Sequence, residues 1–230
     1  MILIKFVTIL IIKMVKIFKT VAILEGISYL AGAELPAVIV NVVRGGPGLG
    51  TIQPSQADYF QAVKGGGHGD YKLYVLAPSS AQEMSDFVQD AFEIAFKYRN
   101  PVMILSDGLI GQMMEKVVLR EQLPRLTDAE VIAQNDDWAV TGKTNRKRNI
   151  VTSLDLLAEK MEAHVRKLMK KYDRMEQEDL RYETFNCEDA EYLFVAYGSS
   201  ARIAQKAVQL ARAKGIKAGL LRPITLFPFP

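Results

Sequence analysis

Apolar positions along this 230-residue chain change period several times, and each change predicts an element. Ala37 to Val43 reads AVIVNVV, short, β-branched and nearly unbroken, which predicts a strand buried on both faces, as in a parallel sheet. Leu73 to Ala77 and Val102 to Ser106 repeat that pattern. Between them, Met84, Phe87, Val88, Ala91, Ile94, Ala95 and Tyr98 recur at helical spacing and predict a helix over 81–98. Ser80, with Glu83 three residues on, has the form of a capping box at its start, and Asn100-Pro101 stops it. A shorter helix is expected within 54–63. Strand, helix, strand, helix, strand implies a parallel sheet with right-handed crossovers.

From 117 to 148 the periodicity fades and charge rises, which predicts a linker with little regular structure. Leu154, Leu157, Met161, Val165, Leu168 and Tyr172 then predict a long helix over 153–182, packed on one side. His164 lies beside that apolar face and is read as structural or solvent-facing. A strand at 193–196, a helix over 201–214 closed by Gly215, and a strand at 216–221 make a second β-α-β unit. One such unit cannot bury both faces of its sheet, so cover from another chain or from further residues of the domain is expected. The first 19 residues are very apolar but interrupted by Lys5, Lys13, Lys16 and Lys19. That is too much charge for a spanning helix of about 20 residues, and no small-residue cleavage site follows. A buried strand or a non-native leader is expected there, with a weak membrane anchor as the other reading.

Composition changes this picture little. Hydrophobic residues make up 49% of the chain, enough for a sizeable core. A net charge of +3 gives no footprint for nucleic acid or an anionic membrane, and the basic run Lys143 to Arg148 reads as a solvated loop. The one cysteine, Cys187, excludes a disulfide within the chain and a cysteine-ligated iron–sulfur cluster held by this chain alone. It sits in a polar stretch before a strand and is read as incidental. A lone thiol fits a reducing, cytosolic setting.

The candidate chemistry lies in the loop after the first predicted strand, Arg44-Gly45-Gly46-Pro47-Gly48-Leu49-Gly50. It is not the dinucleotide fingerprint: counted from Gly45 the third position is Pro47, and counted from Gly46 the sixth is Thr51. Nor does it end in the Gly-Lys-Ser/Thr of a phosphate loop. Its glycines instead let backbone approach a ligand or a subunit closely, at the carboxyl end of a parallel strand, where ligands of open α/β sheets bind. Arg44 suits a bidentate pair with a carboxylate and equally suits an anchor for the loop; the residues alone leave both open. His68, in the second glycine loop from Lys64 to Asp70, leaves a similar choice between facing a site and carrying no chemistry. No Ser-His-Asp, zinc-ligand or paired-carboxylate pattern stands out.

Three stretches carry a resemblance. EGISYLAGAELPAVIVNVVRGGPGLGTIQPSQADYFQAVKGGGHGDY (Glu25 to Tyr71), NPVMILSDGLIGQMME (Asn100 to Glu115), and YLFVAYGSSARIAQKAV with GLLRPITLFPFP (within Tyr192 to Pro230) resemble the alpha subunits of 2-oxoacid:ferredoxin oxidoreductases. The wording is nearest the branch acting on branched-chain 2-oxoacids (3-methyl-2-oxobutanoate), with the 2-oxoglutarate branch next. The resemblance implies an α/β fold: an apolar leader at 1–24, an incomplete parallel-sheet domain of the thiamine pyrimidine-binding type over 25–116, a linker and long amphipathic helix over 117–189, and the start of a transketolase-C-terminal-like domain over 190–230.

It also implies an activity, the oxidative decarboxylation of a 2-oxoacid to acyl-CoA with electrons passed to ferredoxin, in a cytoplasmic hetero-oligomer. Thiamine diphosphate with Mg2+ is implied at a site shared with a partner beta subunit. Iron–sulfur clusters are implied on another subunit, in keeping with the single cysteine. No nucleic acid and no membrane are expected as partners. By match to the family motif, Arg44 faces the substrate carboxylate, with Gly45, Gly46 and Thr51 beside it. There are departures. The family segment before the point matching Glu25, which carries the glutamate that protonates the aminopyrimidine, is replaced by the apolar leader. The family continues past Phe227-Pro228-Phe229-Pro230, and Lys116 stands where relatives usually show proline. These departures predict a chain truncated at both ends and an alternative role, a non-catalytic remnant that only associates with partner subunits.

Overall fold

The computed structural model describes residues 9–11, 17–142 and 147–230. The first part of the chain runs β1 (Ile9–Ile11), α1 (Ile17–Gly32), β2 (Ala37–Val43), α2 (Tyr59–Lys64), β3 (Tyr74–Leu76), α3 (Ala81–Tyr98), β4 (Pro101–Asp107) and α4 (Gly108–Gln112). The remainder runs α5 (Asp128–Gln134), α6 (Ala158–Glu178), β5 (Tyr182–Phe185), β6 (Tyr192–Val195), α7 (Gly198–Arg212), β7 (Ala218–Pro223) and β8 (Thr225–Phe227). The first sheet has the order β1-β2-β4-β3-β8, parallel except for β8. The second has the order β5-β7-β6, with β6 parallel and β5 antiparallel to β7. Among the described residues, no helix is long and apolar enough to cross a membrane.

The expected parallel sheet is present, and every residue of β4 is buried. Helix α3 packs on β4 and β2, and α1 on β4; a general preference for right-handed crossovers places α3 on the face opposite α2. Helix α3 starts where its sequence dictates. Ser80 accepts the Glu83 N–H at 3.1 Å, while the Glu83 carboxylate turns back to the Ser79 N–H at 2.7 Å. The helix ends because Arg99 takes a left-handed conformation, with φ of 48°, and the buried Asn100 amide is held by the Lys72 and Pro101 carbonyls.

Several expectations are corrected. Within 1–24 a strand does form, β1, which pairs with β2; beyond that expectation, α1 begins at Ile17 and runs on to Gly32, while 1–8 and 12–16 lie outside the described residues. The stretch from 117 holds a helix, α5, whose start is a complete capping box between Thr127 and Glu130. Residues before it are pinned along α3: the Gln82 amide brackets the Val118 backbone at 2.9 and 2.8 Å, and Arg120 pairs with Asp86 and Asp90. The long helix starts at Ala158, not at 153. Leu154 and Leu157 are exposed, because the Thr152 hydroxyl takes the Leu154 N–H at 3.0 Å and forms a turn that competes with helix. Leu168, Tyr172 and Met175 form its buried face. His164 is structural, its Nε2 2.7 Å from the Gly32 carbonyl. Lys143 to Arg146 of the basic run lie outside the described residues.

Two strands have no local signature. β5 follows α6 where a helix end was expected, and β8 returns from the second unit to pair with β3. Arg181 directs both, its carbonyl accepting the Ile224 and Thr225 N–H groups at 3.0 Å. The expected β-α-β unit forms as β6-α7-β7. β7 is largely buried, whereas all four residues of β6 are exposed, so this unit does leave its sheet uncovered. Cys187 is structural here, with Sγ 3.2 Å from the Leu220 carbonyl. The two units are joined by Arg222, only 6% exposed, whose guanidinium meets both Glu83 oxygens at 2.7 and 2.9 Å. Burial pushes the Glu83 carboxyl up, but the Arg222 and Ser79 donors outweigh this and hold it below the ordinary carboxylate range.

Candidate functional site

The glycine-rich loop leaves the carboxyl end of β2, and its own hydrogen bonds close it. The Gly45 N–H donates to Gln53 O at 2.9 Å, the Thr51 N–H to Gly45 O at 2.8 Å, and the Gly50 N–H to Pro47 O at 3.0 Å. Arg44 and Pro54 form an antiparallel bridge across its base. Glycine is required where these arms meet. A Cβ on Gly50, whose φ is +57°, would stand 1.8 Å from Gly45 O, and one on Gly45 would stand 2.6 Å from the Thr51 methyl. Beyond Gly46, nothing lies within 4 Å of where a side chain would start. Leu49 and Ile52 are strongly exposed near the tip.

All four candidate residues, Arg44, Gly45, Gly46 and Thr51, come together in this one loop. The Arg44 Nη1 donates to Thr51 O at 2.8 Å, so the arginine anchors its loop. That contact uses one of five N–H donors, and among the described residues no carboxylate pairs with this guanidinium. The two readings of Arg44 are therefore compatible. His68 belongs to a different surface. It is exposed, its carbonyl accepts the Ser28 hydroxyl at 3.0 Å, and the glycines before it pack on Leu24 of α1.

The structure adds residues that the sequence reading missed. Asp107, the last residue of β4, is 3% exposed. One carboxylate oxygen accepts the Leu109 and Ile110 N–H groups at 3.0 and 3.1 Å, capping α4. The other accepts the Ser199 N–H at 3.1 Å and its hydroxyl at 2.6 Å, holding the first turn of α7. A carboxylate at two helix N-termini is favoured by the orphan N–H groups and by both helix dipoles. Beside it, the Gln56 amide donates to Tyr197 O at 2.9 Å and accepts the Ser200 hydroxyl at 3.0 Å. Asn41 of β2 donates to Asp58 at 3.1 Å. Burial, with Tyr59, Asp107 and Asp58 nearby, pushes the Tyr197 phenol up to about 12. The available signals were Asp107-Gly108 at a strand end, with the spacing of an N-cap, and Gly198-Ser199-Ser200 opening a helix. Pairing them needs the tertiary fold.

A groove of about 570 Å³ runs between α4 and α7, lined by Leu109, Met113, Ile203 and Leu210. Among the described residues, no three His, Cys, Asp or Glu side chains are grouped to hold a metal ion. The residues present fit a carboxylate ligand at Arg44.

Comparison with known proteins gives a consistent pattern. The family model for pyruvate flavodoxin/ferredoxin oxidoreductase, thiamine diphosphate-binding, matches residues 21–184, and that for pyruvate:ferredoxin oxidoreductase core domain II matches residues 190–230. Ketoisovalerate oxidoreductase subunit VorB of Methanothermobacter marburgensis is 55% identical over 206 residues, covering 90% of this chain and 57% of the relative. 2-Oxoglutarate synthase subunit KorA of Archaeoglobus fulgidus is 39% identical over 212 residues, covering 90% of this chain and 58% of the relative. The chain thus spans little more than half the length of these relatives. Among solved structures, the 2-oxoglutarate:ferredoxin oxidoreductase of Magnetococcus marinus, with 2-oxoglutarate, coenzyme A and succinyl-CoA bound, superposes with a TM-score of 0.70 at 25% identity, covering 90% of this chain and 41% of that one.

Proposed function

The chain belongs to the 2-oxoacid:ferredoxin oxidoreductase family, and from that premise we propose that it acts as the alpha subunit of such an enzyme, with a branched-chain 2-oxoacid as substrate. The observation that carries this reading is the 55% identity to a ketoisovalerate oxidoreductase subunit over 90% of the chain. In the proposed reaction 3-methyl-2-oxobutanoate loses CO2, its acyl group passes to coenzyme A, and two electrons go to ferredoxin. Thiamine diphosphate, when bound, supplies the carbanion chemistry. On the family resemblance, the diphosphate and Mg2+ are assigned to a partner beta subunit, and the iron–sulfur clusters to another. The exposed apolar loop tip and the α4–α7 groove support partner subunits covering this edge. A reducing, cytoplasmic setting goes with this reading.

What this chain supplies is a fixed guanidinium at the carboxyl edge of the sheet. Arg44 holds the substrate carboxylate through the donors it does not give to Thr51, and Gly45 and Gly46 let backbone come close. The divisions of the chain carry over as proposals: a pyrimidine-binding-type domain to about residue 116, a linking helix, and a transketolase-C-terminal-like unit from about residue 190. The test is Arg44→Lys in the assembled enzyme. Losing the planar fork is expected to raise the KM for the oxoacid at least about tenfold, the weight of one charge-assisted hydrogen bond. An unchanged KM would remove Arg44 from the site.

A further inference from the structure

The internal hydrogen bonds of the Arg44 loop fix its shape but not its place on the sheet. Its place is set by its exit arm, Pro54 to Gln56. On one side Pro54 lies against Gly108, the first residue of α4, where a Cβ would stand 3.5 Å from the Pro54 Cα. On the other side both ends of the Gln56 amide are used by the start of α7, more than a hundred residues away in sequence: its Nε2 donates to Tyr197 O at 2.9 Å and its Oε1 accepts from Ser200 at 3.0 Å. Gly198 lets them meet. Its φ is +57°, and a Cβ there would stand 3.1 Å from both Gln56 Nε2 and Asp107 Oδ2. Helix α7 does not need Gln56 for its own cap, since Asp107 already takes the Ser199 N–H. The Gln56 contacts therefore bear on the loop and not on the helix.

We propose that Gln56 and Ser200 form a positioning pair, through which the first turn of α7 in the second unit sets the pose of the Arg44 loop and hence the affinity for the oxoacid. This rests on the assignment of Arg44 to the oxoacid carboxylate. Gln56 and Ser200 act through the Arg44–Pro54 bridge and the Arg44–Thr51 contact. A neutral amide paired to one hydroxyl and one carbonyl makes the link responsive to any shift of α7 against the first sheet.

The test uses the chain in its complex with partner subunits, with two readouts on each variant. Ser200→Ala, which removes one neutral hydrogen bond, is expected to raise the KM for the oxoacid about fivefold, and Gln56→Ala, which also removes the bond to Tyr197 O, to raise it further, with kcat changed less than about twofold in both. The double variant is expected to be no worse than Gln56→Ala alone, because that change already removes the Ser200 contact, and Ser200→Thr is expected to keep the parent KM. Amide hydrogen exchange at Gly45, Gly50 and Thr51 is expected to quicken in both alanine variants, more in Gln56→Ala, and this readout does not depend on catalysis. Unchanged exchange in Gln56→Ala overturns the positioning pair. Faster exchange with an unchanged KM overturns its role in oxoacid binding, and Arg44→Lys measured alongside separates the causes. A raised KM in Arg44→Lys then confines the failure to the pair; an unmoved KM there means that the loop does not hold the oxoacid.

Discussion

Replacing Asp107 by Asn tests how the two units are joined. The carboxylate has four donors, two from α4 and two from Ser199, with distances from 2.6 to 3.1 Å, at a residue that is 3% exposed. An asparagine keeps one oxygen and turns an NH2 toward the remaining two donors. One pair survives, and the other faces a donor in a buried setting. A hydrogen bond to a charged acceptor contributes about 1.5–3 kcal/mol, so Asp107→Asn is expected to cost about 3 kcal/mol. Ser199→Ala removes only the short hydroxyl contact and keeps the N–H, and is expected to cost about half as much. The two residues share one interaction, so the double variant should cost clearly less than the sum of the singles. Urea unfolding followed by circular dichroism gives these values, with the slope m unchanged. An Asp107→Asn variant within about 0.5 kcal/mol of the parent, or two losses that add, would contradict this role of Asp107.

Two further outcomes are expected. Lys171 lies 3.6 Å from Glu34, which also pairs with Lys167, while Arg99 donates to the Glu34 carbonyl at 3.3 Å. Burial pushes the Lys171 ammonium down to about 8, and Glu34 opposes this only in part. An unfolded lysine keeps its proton to about pH 10.4, so the folded state binds fewer protons between about pH 8 and 10.4, and stability rises with pH across that window. Below it the buried charge costs up to about 3 kcal/mol. Lys171→Met is thus expected to raise the urea midpoint at neutral pH and to lose that advantage by about pH 10; a variant less stable at neutral pH contradicts this. Gly50→Ala puts a methyl group against Gly45 O in left-handed backbone. It is expected to open the loop, with proteolytic cleavage within 45–53 at least about tenfold faster than in the parent; equal rates contradict it.

The sequence pattern identifies α3 to the residue, because Ser80, Glu83 and the apolar face all agree. It identifies β2 and β4 because strands inside a parallel sheet, buried over much or all of their length, carry nearly unbroken apolar runs. The same pattern places the start of α6 five residues early, since Leu154 and Leu157 continue the helical spacing while Thr152 captures the backbone. Helix α5 was legible in Thr127 and Glu130, whose capping box is complete, but weak periodicity concealed it. β5 and β8 were not legible, as their partners β7 and β3 are distant in sequence and their apolar content is ordinary. The candidate site divides in the same way. Arg44 and its glycines are contiguous and readable. Gln56, Asp107, Ser199 and Ser200 become one network only when α7 docks on the first unit.

The most direct test is 2-oxoacid-dependent viologen reduction with coenzyme A and thiamine diphosphate, by this chain co-expressed with the thiamine-diphosphate and iron–sulfur subunits of a close relative. Activity above a control lacking this chain is expected, greater with 3-methyl-2-oxobutanoate than with 2-oxoglutarate. Co-purification with those subunits but no activity above the control would contradict the proposed function, and would make the chain an associating subunit without chemistry.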